Sequence, residues 1–142
     1  MQTRLNPYIG FNGNAREAME FYRSVFGGKL ELHTFEEYNA SDDPVDNDKI
    51  MHAMLETDSG IAIMGADTPQ SMKYVSESNI SISLSGDNED ELQDYFDKLS
   101  RDGTVTMPLM KAEWGDSFGM CNDKYGVTWL VNIAGKHTSI AE

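Results

Sequence analysis

The sequence predicts an α+β domain made of two copies of a βαβββ unit. Two observations predict it: two amphipathic helices that each follow a short strand and a glycine turn, and two glycine-centred hairpins at matching distances beyond them. The chain has 142 residues, a length at which one domain can bury roughly two thirds of its unfolded surface without metals or disulfides. A single domain is therefore expected over residues 1–142, with module one at about 4–67, a linker at 68–78 and module two at about 79–134.

The first helix is read in NAREAMEFYRSVFGG. Asn14 can cap it, Glu17 stands three residues later as a capping-box partner, and Ala18, Met19, Tyr22, Val25 and Phe26 form an apolar stripe that Gly27 and Gly28 end. The second is read in DNEDELQDYFDKLSRDG, with Asp87 or Asn88 as cap, Leu92, Tyr95, Phe96 and Leu99 at helical spacing, and Gly103 as the stop. Laying residues 8–14 on residues 81–87 matches Ile9 with Ile82, Phe11 with Leu84 and Gly13 with Gly86, and the same shift sets Tyr22 on Tyr95. Laying residues 52–65 on 118–131 matches Met54 with Met120 and Gly60 with Gly126, each glycine between two β-prone runs. KLELHTF and TVTMPLM supply a further strand after each helix. The remaining segments, 36–49 and 68–78, are polar connections.

Charge narrows the partners. Eleven basic against twenty-four acidic side chains give a net charge of −13, which repels a phosphate backbone, so nucleic acid is not an expected partner. Glu36, Glu37, Asp42, Asp43, Asp46 and Asp48 crowd one loop, and Asp87, Glu89, Asp90 and Glu91 open the second helix. Both clusters read as solvated surface. No apolar run approaches the ~20 residues of a membrane span, and MQTRLNPYIG has none of the features of a secretory signal, so no membrane association and a cytoplasmic location are expected. The single cysteine, Cys121, forms no internal disulfide and reads as a buried thiol.

Three stretches carry a resemblance: PYIGFNGNAREAMEFYRSVFGG, HAMLETDSGIAIMGAD and EWGDSFGMCNDKYGVTWLVN. Together they resemble the PhnB-like subgroup of the vicinal-oxygen-chelate superfamily, which includes glyoxalase I, extradiol dioxygenases, and fosfomycin- and bleomycin-resistance proteins. The resemblance implies that the two modules form a cup-shaped incomplete barrel with the helices outside. It implies a small-molecule ligand in the cup and a homodimer. It also implies a divalent metal held by His or Glu on the first and last strands of each module. The corresponding positions, near Pro7 and Tyr8, Ile63 and Met64, Asn79 to Ser81, and Trp129 and Leu130, offer no His, Asp or Glu. No metal ligands and no cofactor are therefore expected, although a relocated divalent metal remains open. His52 and Glu56 would share a strand face, but four residues at about 3.3 Å rise separate them by about 13 Å, too far for one ion with bonds near 2 Å. His33, on a neighbouring strand, would have to complete such a site. PhnB-like proteins also carry a methyltransferase label, yet the sequence lacks a glycine-rich strand-to-helix loop followed by an acidic ribose partner.

His52 is the candidate catalytic residue, as an acid or base near neutral pH or as a hydrogen-bonded structural histidine. Trp114, Phe118, Trp129, Asp67 and Tyr8 are the candidate ligand-binding residues. Trp114 and Phe118 would cover an apolar ligand or pack at the barrel mouth. Trp129 would offer a flat wall or fill the core. Asp67 would be a base or a linker carboxylate. His137 falls in a polar tail and reads as solvated. The expected function is binding of a small, partly aromatic molecule without the usual metal. The alternatives are a lyase, isomerase or dioxygenase-type enzyme with a relocated metal, a metal-free proton-transfer enzyme using His52, and an interaction module that docks through loop 36–49.

Overall fold

The computed structural model describes residues 3–75, 78–113 and 115–135. The chain divides into two compact units, one up to residue 77 and one from residue 78, and each is a βαβββ module as the duplication predicts. In module 1, β1 (Tyr8–Phe11) leads to α1 (Ala15–Phe26), β2 (Lys29–Thr34), β3 (Ile50–Glu56) and β4 (Ala62–Asp67). In module 2, β5 (Ile82–Gly86) leads to α2 (Glu89–Ser100), β6 (Thr104–Lys111), β7 (Ser117–Asn122) and β8 (Thr128–Ile133). The sheets share one open, mixed topology, β1-β4-β3-β2 and β5-β8-β7-β6, in which the first strand runs parallel to the last. Among the described residues, no helix is long and apolar enough to cross a membrane.

Each sheet buries one face under its helix. In module 1, Phe11, Ala53, Leu55 and Ile63 pack with Ala15, Ala18, Met19, Tyr22, Val25 and Phe26 of α1 in the buried core. Because side chains alternate along a strand, the residues between them point to the other face. Tyr8, Met64, Met54 and Glu31 are successive register partners across that face, and His52 and His33 stand opposite each other one step along.

The duplication is offset by one residue from the sequence match. Tyr22 is fully buried and its counterpart is Phe96, while Tyr95 is only partly buried and gives its hydroxyl to Glu91. Three residues separate β1 from α1 but only two separate β5 from α2, and Gly86 is the last residue of β5 rather than part of a turn like Gly13, whose φ is +90°.

The caps differ as well. Asn88 caps α2 through Glu91 N–H, but the Asn14 side chain does not cap α1. Asp67 takes over: its carboxylate accepts from Gly13 N–H at 2.8 Å, Ala15 N–H at 2.9 Å and Ile50 N–H at 2.9 Å. This places a buried anion at the positive end of α1. It corrects the reading of Asp67 as a ligand or base residue, because both of its oxygens are occupied in the core.

The acidic loop is also more structured than expected. Asp46, read as solvated, is buried in a 3-10 turn at Pro44–Asp46. It binds Lys49 Nζ at 2.8 Å, Ser41 Oγ at 2.7 Å and Gln70 N–H at 3.0 Å. The Lys49 ammonium and then the Ser41 hydroxyl hold its carboxyl below the ordinary 3.8. In β7, Cys121 is fully buried as expected, and burial together with the nearby Asp123 pushes its thiol up to about 11.

Three outcomes are expected. Asp67→Ala strands three backbone donors, each costing about 1–3 kcal/mol, so urea unfolding should show a loss above ~3 kcal/mol; a loss below ~1 kcal/mol would contradict the capping role. The depressed pKa of Asp46 means that its stabilisation is complete above pH 3.8 and is lost as pH falls through the folded value. Below pH 3.8, thermal melts should therefore show a shrinking difference between wild type and Asp46→Asn. Finally, a thiol reagent at pH 8 should label Cys121 only at the unfolding rate; rapid labelling of the native protein would refute its burial.

Candidate functional site

The open face of the module 1 sheet gathers the polar and aromatic side chains that the core does not use. Tyr8, 55% exposed, reaches across from β1 so that its hydroxyl lies 3.4 Å from His52 Nδ1, with the ring centroids 5.9 Å apart. His33 faces His52 from β2 as its register partner. A shift in register between His33 and Thr34 leaves Met51 unmatched on β3, a bulge that bends the strand next to both imidazoles.

The turn after β2 supplies two further groups. Glu37 N–H donates to Thr34 Oγ1 at 3.1 Å, and this fold-back brings Glu37 Oε2 to 3.0 Å from His33 Nδ1. The His33 contact and then Thr34 N–H hold the Glu37 carboxyl below its ordinary 4.5. Tyr38 sets its hydroxyl 3.4 Å from the same nitrogen and its ring edge-on to His33, at a centroid distance of 5.3 Å. The cluster is thus Tyr8, His52, His33, Glu37 and Tyr38, with the partly exposed thioethers of Met54 and Met64 beside it. Sequence reasoning singled out Tyr8, His52 and, for a relocated metal, His33; Glu37 is exposed as read, but its contact with His33 and the place of Tyr38 were not foreseen. The available signal was the position of Glu37 and Tyr38, four and five residues after a strand histidine, where a tight turn folds side chains back.

The superfamily's metal does not fit this donor set. The chelating positions hold Tyr8 and Met64 in module 1, and a phenol beside a thioether is a poor set for a hard or borderline divalent ion. Leu130 in module 2 cannot coordinate at all. Among the described residues, no three His, Cys, Asp or Glu side chains converge to hold an ion. The structure brings His33 to His52, but Glu56 lies further along β3 and pairs with Arg4 at 3.3 Å.

Module 2 distributes its predicted site residues differently. Phe118 is half-buried on the open face, between its register partners Met110 and Asn132. Trp129 is fully buried on the α2 side, and its Nε1–H donates to Asp123 Oδ2 at 2.9 Å. It is core, which corrects its reading as a wall against a ligand: every second residue of β8 is buried, which points Trp129, Val131 and Ile133 at the helix. Trp114 and His137 lie outside the described residues. Sequence reasoning also missed an open groove of about 700 Å³ between the start of α2 and the end of β6, lined by Asp87, Glu89, Lys111, Ser117 and Ile133 among others.

Comparison with known proteins places the chain. The family model described as 3-demethylubiquinone-9 3-methyltransferase matches residues 3–132. The crystal structure of PA1353 from Pseudomonas aeruginosa is 39% identical, over 94% of this chain and 98% of that one, with a TM-score of 0.81. The PhnB protein from Bacillus cereus is 28% identical, over 93% of this chain and 100% of that one, with a TM-score of 0.71. A glyoxylase/bleomycin resistance protein/dioxygenase domain from Frankia sp. EAN1pec shares the fold alone, at 9% identity, 97% and 96% coverage and a TM-score of 0.65. This chain therefore belongs to the 3-demethylubiquinone-9 3-methyltransferase family, as a PhnB-like member on the glyoxalase/bleomycin-resistance fold.

Proposed function

We propose that this PhnB-like protein binds a small, uncharged, partly aromatic molecule on the open face of the module 1 sheet, without a metal. The observation that carries the reading is the paired rings on that face: Tyr8 beside His52 and His33 beside Tyr38, none of them covered by α1. Rings held by neighbouring strands and hydroxyl contacts offer flat, pre-ordered surface, and the thioethers of Met54 and Met64 adapt to an irregular outline. A net charge of −13 disfavours anionic ligands.

The family's name raises methyl transfer, but the residues do not fit a nucleoside-type donor. At the first strand-to-helix turn, where backbone N–H groups would meet such a cofactor, those of Gly13 and Ala15 are already donated to Asp67. A lyase, isomerase or dioxygenase built on a relocated metal has little support while Glu56 is engaged by Arg4.

The test is calorimetric titration with planar neutral compounds, such as naphthols and flavones, in the presence of a chelator. Tyr8 is outside the core, so Tyr8→Ala should fold normally and weaken binding about tenfold, or ~1.4 kcal/mol. Unchanged affinity in Tyr8→Ala, or binding that appears only when a divalent metal is added, would overturn the reading.

A further inference from the structure

Two imidazoles that face each other across strands are held by partners of opposite kind. His33 and His52 are register partners, so their Cβ atoms stand about 5 Å apart on one face. At His33, the partner of Nδ1 is the Glu37 carboxylate at 3.0 Å. A carboxylate accepts, so in the neutral ring the hydrogen belongs on Nδ1, where the Tyr38 hydroxyl also stands at 3.4 Å, and the lone pair is on Nε2. At His52, the partner of Nδ1 is the Tyr8 hydroxyl at 3.4 Å. A phenol that donates there leaves the hydrogen on Nε2. Among the described residues, neither Nε2 has a hydrogen-bond partner, and the His33 side chain is 29% exposed. With both rings neutral and the Tyr8 hydroxyl donating, one ring offers a ligand a base and the other a donor.

The fold does not demand this pair. In module 2 the same step of the sheet is occupied by Met110 opposite Phe118, since Phe118 stands two residues before Met120 as His52 does before Met54 in the repeat. An apolar pair satisfies the architecture there, beside register shifts of its own at Met107 and Met110, so the imidazoles and the turn carrying Glu37 are what module 1 adds.

We propose that His33 and His52 form a metal-independent site for proton abstraction next to the carbonyl group of a small neutral compound. This rests on the reading that such a molecule binds the module 1 face. His33 Nε2 takes the proton from the carbon beside the carbonyl. The C–H electron pair becomes the C=C bond and the carbonyl pair moves onto oxygen, which accepts the hydrogen bond from His52 Nε2–H. The His33 imidazolium exchanges its proton with solvent and returns one to the same carbon, so the net result is hydrogen exchange at that carbon, with no oxidant or reductant required. Glu37 is a positioning residue that fixes the His33 tautomer.

The experiment follows α-proton exchange of 2-hydroxyacetophenone in D2O with EDTA by proton NMR, for wild type and for the variants His33→Met and His52→Phe, which copy the module 2 pair. Ligand-induced shifts at Tyr8 are read in the same samples. The expected result is chelator-resistant acceleration by wild type, a loss of about 100-fold or more in His33→Met and of about tenfold in His52→Phe, with the Tyr8 shifts retained. In Glu37→Gln, the 15N spectrum should show the His33 hydrogen moving away from Nδ1 alone, a change that a purely structural role would not produce. No acceleration by wild type, equal rates in His33→Met, or abolition by EDTA would overturn the proposal. Tyr8 shifts without exchange would leave the binding reading standing, and their absence would remove both.

Discussion

The carboxylate of Asp67 is the constraint on which module 1 depends. One side chain at the end of β4 holds the turn before α1, the first N–H of α1 and the start of β3. It thereby fixes the helix against one face of the sheet and sets where β3 begins relative to β4. With α1 seated there, Ala53, Leu55 and Ile63 are committed to the core. His52 and Met54, between them on the same strand, are left on the open side. Module 2 reaches the same topology with Ile133 as the last residue of β8 and Asn88 as a conventional cap, so the buried anion is one solution to closing the helix onto the sheet, and the apolar contact is another.

Much of this fold was legible because the duplicated pattern rests on local physics. Glycines at Gly60 and Gly126 adopt φ of +98° and +87°, values that favour glycine and so mark the hairpins in the sequence. Every residue of the predicted apolar stripe of α1 is buried, and Ala15 at the start of the helix joins them. The match failed by one position at the second helix because side-chain identity, Tyr22 with Tyr95, outweighed the spacing of buried residues. It also failed where a polar side chain finds its partner far along the chain. Asp67 with Gly13 and Asp46 with Gln70 are separated by tens of residues, and a sequence read locally gives such carboxylates to solvent.

The candidate site was legible in part for the same reason. Tyr8 and His52 stood out as polar aromatic residues in β-prone segments, and β1 and β3, both paired with β4, bring them within hydrogen-bonding reach. Glu37 did not stand out, since nothing in a run of acids distinguishes the one that a turn folds back onto an imidazole. Trp129 was read either as core or as a ligand wall, and its alternation with the buried Val131 and Ile133 is what selects the core. The resemblance to the superfamily pointed to the chelating positions, and the thioether and phenol found there, Met64 and Tyr8, direct attention to the rings instead of to an ion.

We propose that the module 1 face works through imidazoles, phenols and thioethers and not through a bound divalent cation. Elemental analysis tests it most directly, on protein purified without a histidine tag or chelator, then incubated with zinc, nickel, manganese or iron(II) and desalted. No stoichiometric metal is expected after desalting, because among the described residues no third ligand joins the two imidazoles, and a pair holds an ion only weakly. Retention of about one metal per chain would contradict it.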